Sequence, residues 1–94
     1  MKIESVEGKR PVSLTLYTLT TCGWCKKAKA LLEELGAGYD CIEVDKLSPE
    51  EAKAARETIM KWNPRCSFPT MVIDEKDCLV GYKENELREI FKDE

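Results

Sequence analysis

Two neighbouring stretches decide the fold: Val12-Ser13-Leu14-Thr15-Leu16-Tyr17 and, just beyond it, Cys22-Gly23-Trp24-Cys25. The first alternates and is rich in β-prone residues, as a strand is. After the second, Ala28, Leu31, Leu32 and Leu35 recur at helical spacing. The two thiols, at i and i+3, therefore sit where a strand runs into the first turn of a helix. At that spacing they are close enough to form a disulfide. The unpaired N–H groups and positive dipole end of the helix favour a thiolate on the leading sulfur. Such a pair suits reversible dithiol–disulfide exchange.

Composition narrows the setting. With 94 residues, 43% hydrophobic and 35% charged, the chain has the make-up of one soluble domain with a single core. The formal net charge is −3 with Lys and Glu interspersed, so no basic stripe for nucleic acid is present. No apolar run approaches the ~20 residues of a membrane-spanning helix. Met1-Lys2-Ile3-Glu4-Ser5 has no apolar run of the secretory kind, so a cytoplasmic location is expected. Five cysteines are in the range of a disulfide scaffold, but the odd count and the ample apolar content argue for free thiols and a functional CxxC. The absence of histidine excludes His-assisted catalysis, Cys/His metal sites and Ser-His-Asp triads.

Along the chain, residues 1–11 read as an extension, with a weak edge strand as the alternative over 1–10. The unit proper is expected over 12–94. A strand at about 12–18 leads to a helix at about 23–36 that stops at Gly36. Tyr39 to Val44 is a second strand. Ser48-Pro49-Glu50-Glu51 opens a second helix, with Ser48 as N-cap and Glu51 closing a capping box. Ala52, Ala55, Ile59 and Trp62 supply its apolar face, and Asn63-Pro64 ends it. Thr70-Met71-Val72-Ile73 is a short strand buried on both faces. A polar turn over 74–77 returns the chain as a strand from Cys78 to Tyr82, and Leu87, Ile90 and Phe91 mark a last helix at about 84–92. The order βαβαββα implies an α/β protein with a four-stranded mixed sheet flanked by three helices.

A CxxC at a strand-to-helix junction followed by this order resembles a glutaredoxin-type member of the thioredoxin superfamily, over roughly residues 12–92. Thr21-Cys22-Gly23-Trp24-Cys25-Lys26-Lys27 and Ser67-Phe68-Pro69-Thr70 carry the likeness, with Val80-Gly81-Tyr82-Lys83 in support. The resemblance implies the thioredoxin fold, a cis Phe68–Pro69 bond beside the CxxC, and a backbone there that pairs with the extended substrate. It also implies a small thiol–disulfide oxidoreductase, an electron carrier that reduces protein disulfides without a cofactor. In these roles Cys22 is the nucleophile and Cys25 the resolving thiol, with Trp24, Phe68, Pro69, Thr70, Gly81 and Tyr82 as substrate-contact residues.

Two departures bear on the reductant. Glutathione-using glutaredoxins have a basic residue where this chain has Leu19, and a Gly-Gly pair where it has Val80-Gly81. The run Gly81-Tyr82-Lys83 is similar to that of glutaredoxin-like redoxins that serve ribonucleotide reductase and are recharged by thioredoxin reductase. A thioredoxin reductase-like donor is therefore expected ahead of glutathione, with ribonucleotide reductase among the candidate partners. A monomer is expected, with no nucleic-acid or membrane partner. The competing reading is an iron–sulfur or other metal carrier, for which zinc on Cys22, Cys25 and Cys66 lacks a fourth ligand.

For the remaining residues the plain readings weigh more. Lys26 and Lys27 either favour the thiolate and acidic partners or are ordinary solvated lysines. Cys66 is expected as a small loop residue, although its place three before Pro69 brings it into the loop facing the CxxC. Cys41 and Cys78 read as small hydrophobes of strands.

Overall fold

The computed structural model describes residues 3–92. In chain order they form β1 (Glu4–Val6), β2 (Leu14–Thr18), α1 (Gly23–Glu34), β3 (Tyr39–Glu43), a 3-10 turn (Val44–Lys46), α2 (Pro49–Trp62), β4 (Thr70–Ile73), β5 (Asp77–Val80) and α3 (Glu84–Ile90). The sheet has five strands in the order β1-β3-β2-β4-β5. β2 and β3 run parallel, with Leu16 opposite Cys41, and every other pair is antiparallel.

The fifth strand corrects the expected count of four. Glu4–Val6 pairs antiparallel with β3, so the edge-strand reading of the leading residues holds there. This strand is mostly exposed and carries little sequence signal. It is held by tertiary contacts: Ser5 Oγ donates to Asp40 at 2.8 Å, and the Arg10 guanidinium lies 3.5 Å from the same carboxylate. Behind it, the backbones of Gly8 and Gly38 approach so closely that a Cβ on Gly38 would lie 2.6 Å from Gly8 O. Only glycine fits that crossing.

Helices cover both faces because side chains alternate along the strands. Leu14, Leu16, Cys41 and Met71 face α1 and α3, packing with Ala28, Leu31, Leu32, Leu87 and Phe91. Tyr17, Ile42 and Val72 face α2, packing with Val44, Ala55 and Ile59. β4 is buried on both faces as expected, Met71 being 0% and Val72 6% exposed. Ser48 Oγ accepts from the Glu51 N–H at 3.2 Å and reaches its carboxylate at 3.1 Å, so the capping box is formed. At the far end of α1, Gly36 takes φ 66°, while Ala37 N–H reaches back to Leu32 O at 2.9 Å. That is a left-handed glycine stop, two residues short of a helix running to 36. Among the described residues no helix is long and apolar enough to cross a membrane.

Parallel pairing of β2 and β3 places their carboxyl ends side by side. The CxxC follows one of these ends and the 3-10 turn follows the other, so both loops emerge at the same edge of the sheet.

Candidate active site

Cys22 is the N-cap of α1. Its backbone is extended, its carbonyl accepts from Lys26 N–H at 3.2 Å, and its Sγ accepts from Cys25 N–H at 3.1 Å. The sulfur thus takes the position that a serine or aspartate oxygen takes in most capped helices. No acidic side chain occupies the first turn to compete with a negative charge there. The leading thiol is half-buried, whereas Cys25 is only 1% exposed. Burial, and next the hydrogen bond with Cys22, push the Cys25 thiol up from its ordinary value; the Thr18 hydroxyl and Leu19 backbone pull the other way.

The loop before Cys22 is tied across to the end of β3. Asp45 accepts from the Thr20 N–H at 3.1 and 3.2 Å and from the Thr20 hydroxyl. These bonds, led by the hydroxyl, hold the Asp45 carboxyl below its ordinary range. The Cys22 N–H closes the turn onto Leu19 O at 3.2 Å. Leu19 packs partly buried with the α2-side core.

On the opposite side of Cys22 lies the loop from α2 to β4, which contains the cis Phe68–Pro69 bond. The Cys22 thiol donates to the Phe68 carbonyl, with Sγ and O 3.9 Å apart. Trp24, Phe68, Gly81 and Tyr82 line one groove of about 260 Å³. Trp24 is 58% exposed, tilts against Tyr82 with ring centroids 5.8 Å apart, and has Lys27 Nζ 4.6 Å over its ring. Gly81 turns at φ 86°, and its N–H donates to Pro69 O at 2.8 Å. That positive φ is the reason for glycine at this corner.

The side chains of Pro69 and Thr70 lie elsewhere. Both are below 2% exposed, so they back the loop from inside and form no part of the groove wall. Thr70 opens β4, and its hydroxyl donates to Ser67 O at 2.7 Å. Two residues that the sequence reading passed over in this setting now stand at the site, Asp45 and Asn63. A polar residue directly after the second of two parallel strands was the available signal for Asp45. None was available for Asn63, which reads only as a helix end.

The other thiols are scattered. Cys41 is 2% exposed in the α1-side core, and burial, partly offset by Lys29, pushes it up to about 11. Cys66 adopts φ 49° and packs partly buried with the α2-side core. Cys78 is half-buried, with Sγ 3.5 Å from Trp62 O. Among the described residues no group of three or more His, Cys, Asp or Glu side chains is placed to hold a metal ion.

A strand, a CxxC at the helix cap and a cis-proline loop against the leading sulfur coincide with a match of residues 14–78 to the Glutaredoxin family. The chain belongs to the glutaredoxin family. Its sequence is 37% identical over 62 residues to glutaredoxin 1 of Rickettsia conorii, across 66% of this chain and 58% of that protein. The matched stretch therefore spans less than two thirds of that curated relative. The glutaredoxin of Methanosarcina mazei superposes with a TM-score of 0.87 at 39% identity, over 99% of this chain and 90% of that one. Methanoredoxin of Methanosarcina acetivorans follows at 0.86 and 37%, over 92% and 90%. These neighbours carry the thioredoxin-type glutaredoxin fold, so the α/β architecture expected from the sequence holds, with β1 added at its edge.

Proposed function

We propose that this glutaredoxin is a small thiol–disulfide oxidoreductase that reduces protein disulfides through Cys22 and Cys25. The observation that carries the reading is the asymmetry of the pair: an accessible sulfur at the cap and a buried thiol one turn on. The Cys22 thiolate attacks one sulfur of the substrate disulfide. A Cys22–substrate disulfide forms and the other substrate sulfur leaves as a thiolate. Cys25 then loses its proton and attacks the Cys22 sulfur, releasing the second substrate thiol and closing the Cys22–Cys25 disulfide. Two electrons pass from the dithiol to the substrate, and an external dithiol reductant restores the pair.

The groove beside Cys22 supports a polypeptide as substrate. Trp24, Phe68 and Tyr82 give it apolar walls, and the Phe68 carbonyl at its edge is placed to meet an extended backbone. Protein disulfides, that of ribonucleotide reductase among them, are the substrates we assign. As donor we favour a thioredoxin reductase-like flavoenzyme over glutathione. Leu19 puts a packed apolar side chain where a cation would receive a carboxylate, and Tyr82 leans on Trp24 across the groove. One chain supplies both sulfurs and the groove, consistent with action as a monomer, and the free thiols suit the reducing cytoplasm.

The deciding experiment follows thiol release from the oxidised protein, with reduced glutathione in one reaction and NADPH plus thioredoxin reductase in the other. Fast reduction by the flavoenzyme alone is expected. Equally fast reduction by glutathione would remove the donor assignment, and no reduction by either would remove the oxidoreductase reading.

A further inference from the structure

Asn63 commits its carbonyl and its whole side chain to one loop. Pro64 forces its backbone out of the helical region, to φ −137° and ψ 94°, and so ends α2. Its N–H still donates to Ile59 O at 2.7 Å, and its carbonyl accepts from Cys66 N–H at 2.8 Å. The side chain folds over the bend that follows and is almost fully covered, the residue being 5% exposed. Nδ2 donates to Ser67 Oγ at 2.9 Å, Thr70 Oγ1 at 3.2 Å and Ser67 O at 3.4 Å, while Oδ1 accepts from Arg65 N–H at 3.2 Å. Thr70 Oγ1 closes the ring with its 2.7 Å bond to Ser67 O.

A buried carboxamide is costly unless its bonds are all made, and a fully satisfied cluster of this kind fixes a single geometry. What it fixes here is the segment from Cys66 to Thr70. The outward product of that segment is the Phe68 carbonyl, 3.9 Å from Cys22 Sγ. We infer that Asn63, with Thr70 as its partner, is a positioning residue for polypeptide substrates: it sets the Phe68 backbone where a substrate chain must lie for its disulfide to reach Cys22. The inference rests on the oxidoreductase reading above. It separates two kinds of disulfide, because a small disulfide with no polypeptide backbone has no use for the Phe68 edge.

The test uses the full-length reduced protein in single-turnover oxidation by insulin and by bis(2-hydroxyethyl) disulfide. Asn63→Ala removes the hub, Thr70→Val removes one hydroxyl at constant shape, and Thr70→Ser keeps that hydroxyl. A misplaced binding edge is expected to slow insulin by about tenfold in Asn63→Ala and Thr70→Val, with the small disulfide held within about twofold and Thr70→Ser like the wild type. If Asn63→Ala fails to fold, as far-ultraviolet circular dichroism would show, the Thr70 pair decides alone. Rates that fall together on both disulfides, or insulin rates that do not fall, overturn the inference and leave the oxidoreductase reading intact. A wild-type protein oxidised by neither disulfide overturns both.

Discussion

The backbone N–H of Cys25 donates to the sulfur of Cys22 across 3.1 Å, so the residue proposed to attack is also the residue that caps the helix. One sulfur therefore has a structural and a chemical task, and substitution can separate them. Serine retains a capping oxygen, whereas alanine retains neither function. Cys22→Ser is expected to abolish exchange with wild-type thermal stability. Cys22→Ala should be equally inactive and less stable by about 1 kcal/mol, the usual cost of losing a cap. Cys25→Ser should accumulate a Cys22–substrate disulfide visible by mass spectrometry. Retained reductase activity in Cys22→Ser would contradict the assignment of the nucleophile.

Trp24 lies between the two cysteines in the chain with more than half its surface in solvent, and its ring is contacted by Tyr82 and by the Lys27 ammonium. Its removal exposes little core, so Trp24→Ala should melt close to the wild type. The groove loses its largest wall, and single-turnover oxidation by insulin is expected to slow several-fold. Trp24→Phe, which keeps an aromatic face for Tyr82 and Lys27, should recover most of the loss. An unchanged insulin rate in Trp24→Ala would show that the ring is bystander surface.

Much of the frame was legible in the sequence because its signals are local. Ser48 and Glu51 make their bonds within one helical turn, and Gly36 stops α1 by its own backbone freedom. The CxxC was legible for the same reason, since the cap that presents Cys22 lies inside the motif. β1 was only half legible. Three mostly exposed residues have no periodicity worth reading, and their order comes from β3 and Asp40. Asp45 offered only its place after the second of two parallel strands and Asn63 gave no sign, because each acts on a loop that only the parallel crossover or the α2–β4 bend brings to it. Pro69 and Thr70 were recognisable as members of a motif, while the direction of their side chains, inward, is a property of the folded loop.

Asp45 offers a second handle on the Cys22 loop. Its carboxylate receives the Thr20 amide and hydroxyl, and those bonds hold its proton affinity below the ordinary carboxylate value of 3.8. A carboxyl depressed in the folded state keeps its tether above that value and loses it as pH falls through the lowered one. At neutral pH the Thr20 amide should thus be protected from hydrogen exchange in the wild type and exposed in Asp45→Ala. Insulin reduction should slow in the same variant as the loop before Cys22 loosens. Full protection of the Thr20 amide in Asp45→Ala would show that the turn stands without the tether.

Alkaline stability tests the packing behind the site. Tyr39 and Cys41 both belong to β3 and are 5% and 2% exposed. Burial pushes the Cys41 thiol from 9.0 up to about 11 and the Tyr39 phenol from 10.0 up to about 12. The unfolded chain has the ordinary values, so from pH 9 to about 11 it releases a proton that the folded chain keeps on Cys41. The unfolded state therefore binds fewer protons, and stability falls as pH rises through this window; from 10 to about 12 Tyr39 adds the same effect. Stability is complete below the unfolded values and reaches its low plateau above the folded ones. Two units on one buried group correspond to about 3 kcal/mol. Urea denaturation under reducing conditions should show the wild-type midpoint dropping steeply above pH 9, the Cys41→Val midpoint dropping less between 9 and about 11, and the Tyr39→Phe midpoint dropping less between 10 and about 12. A Cys41→Val protein with the wild-type pH profile would mean that the Cys41 thiol ionises freely in the folded state, which a side chain sealed between α1 and the sheet does not do.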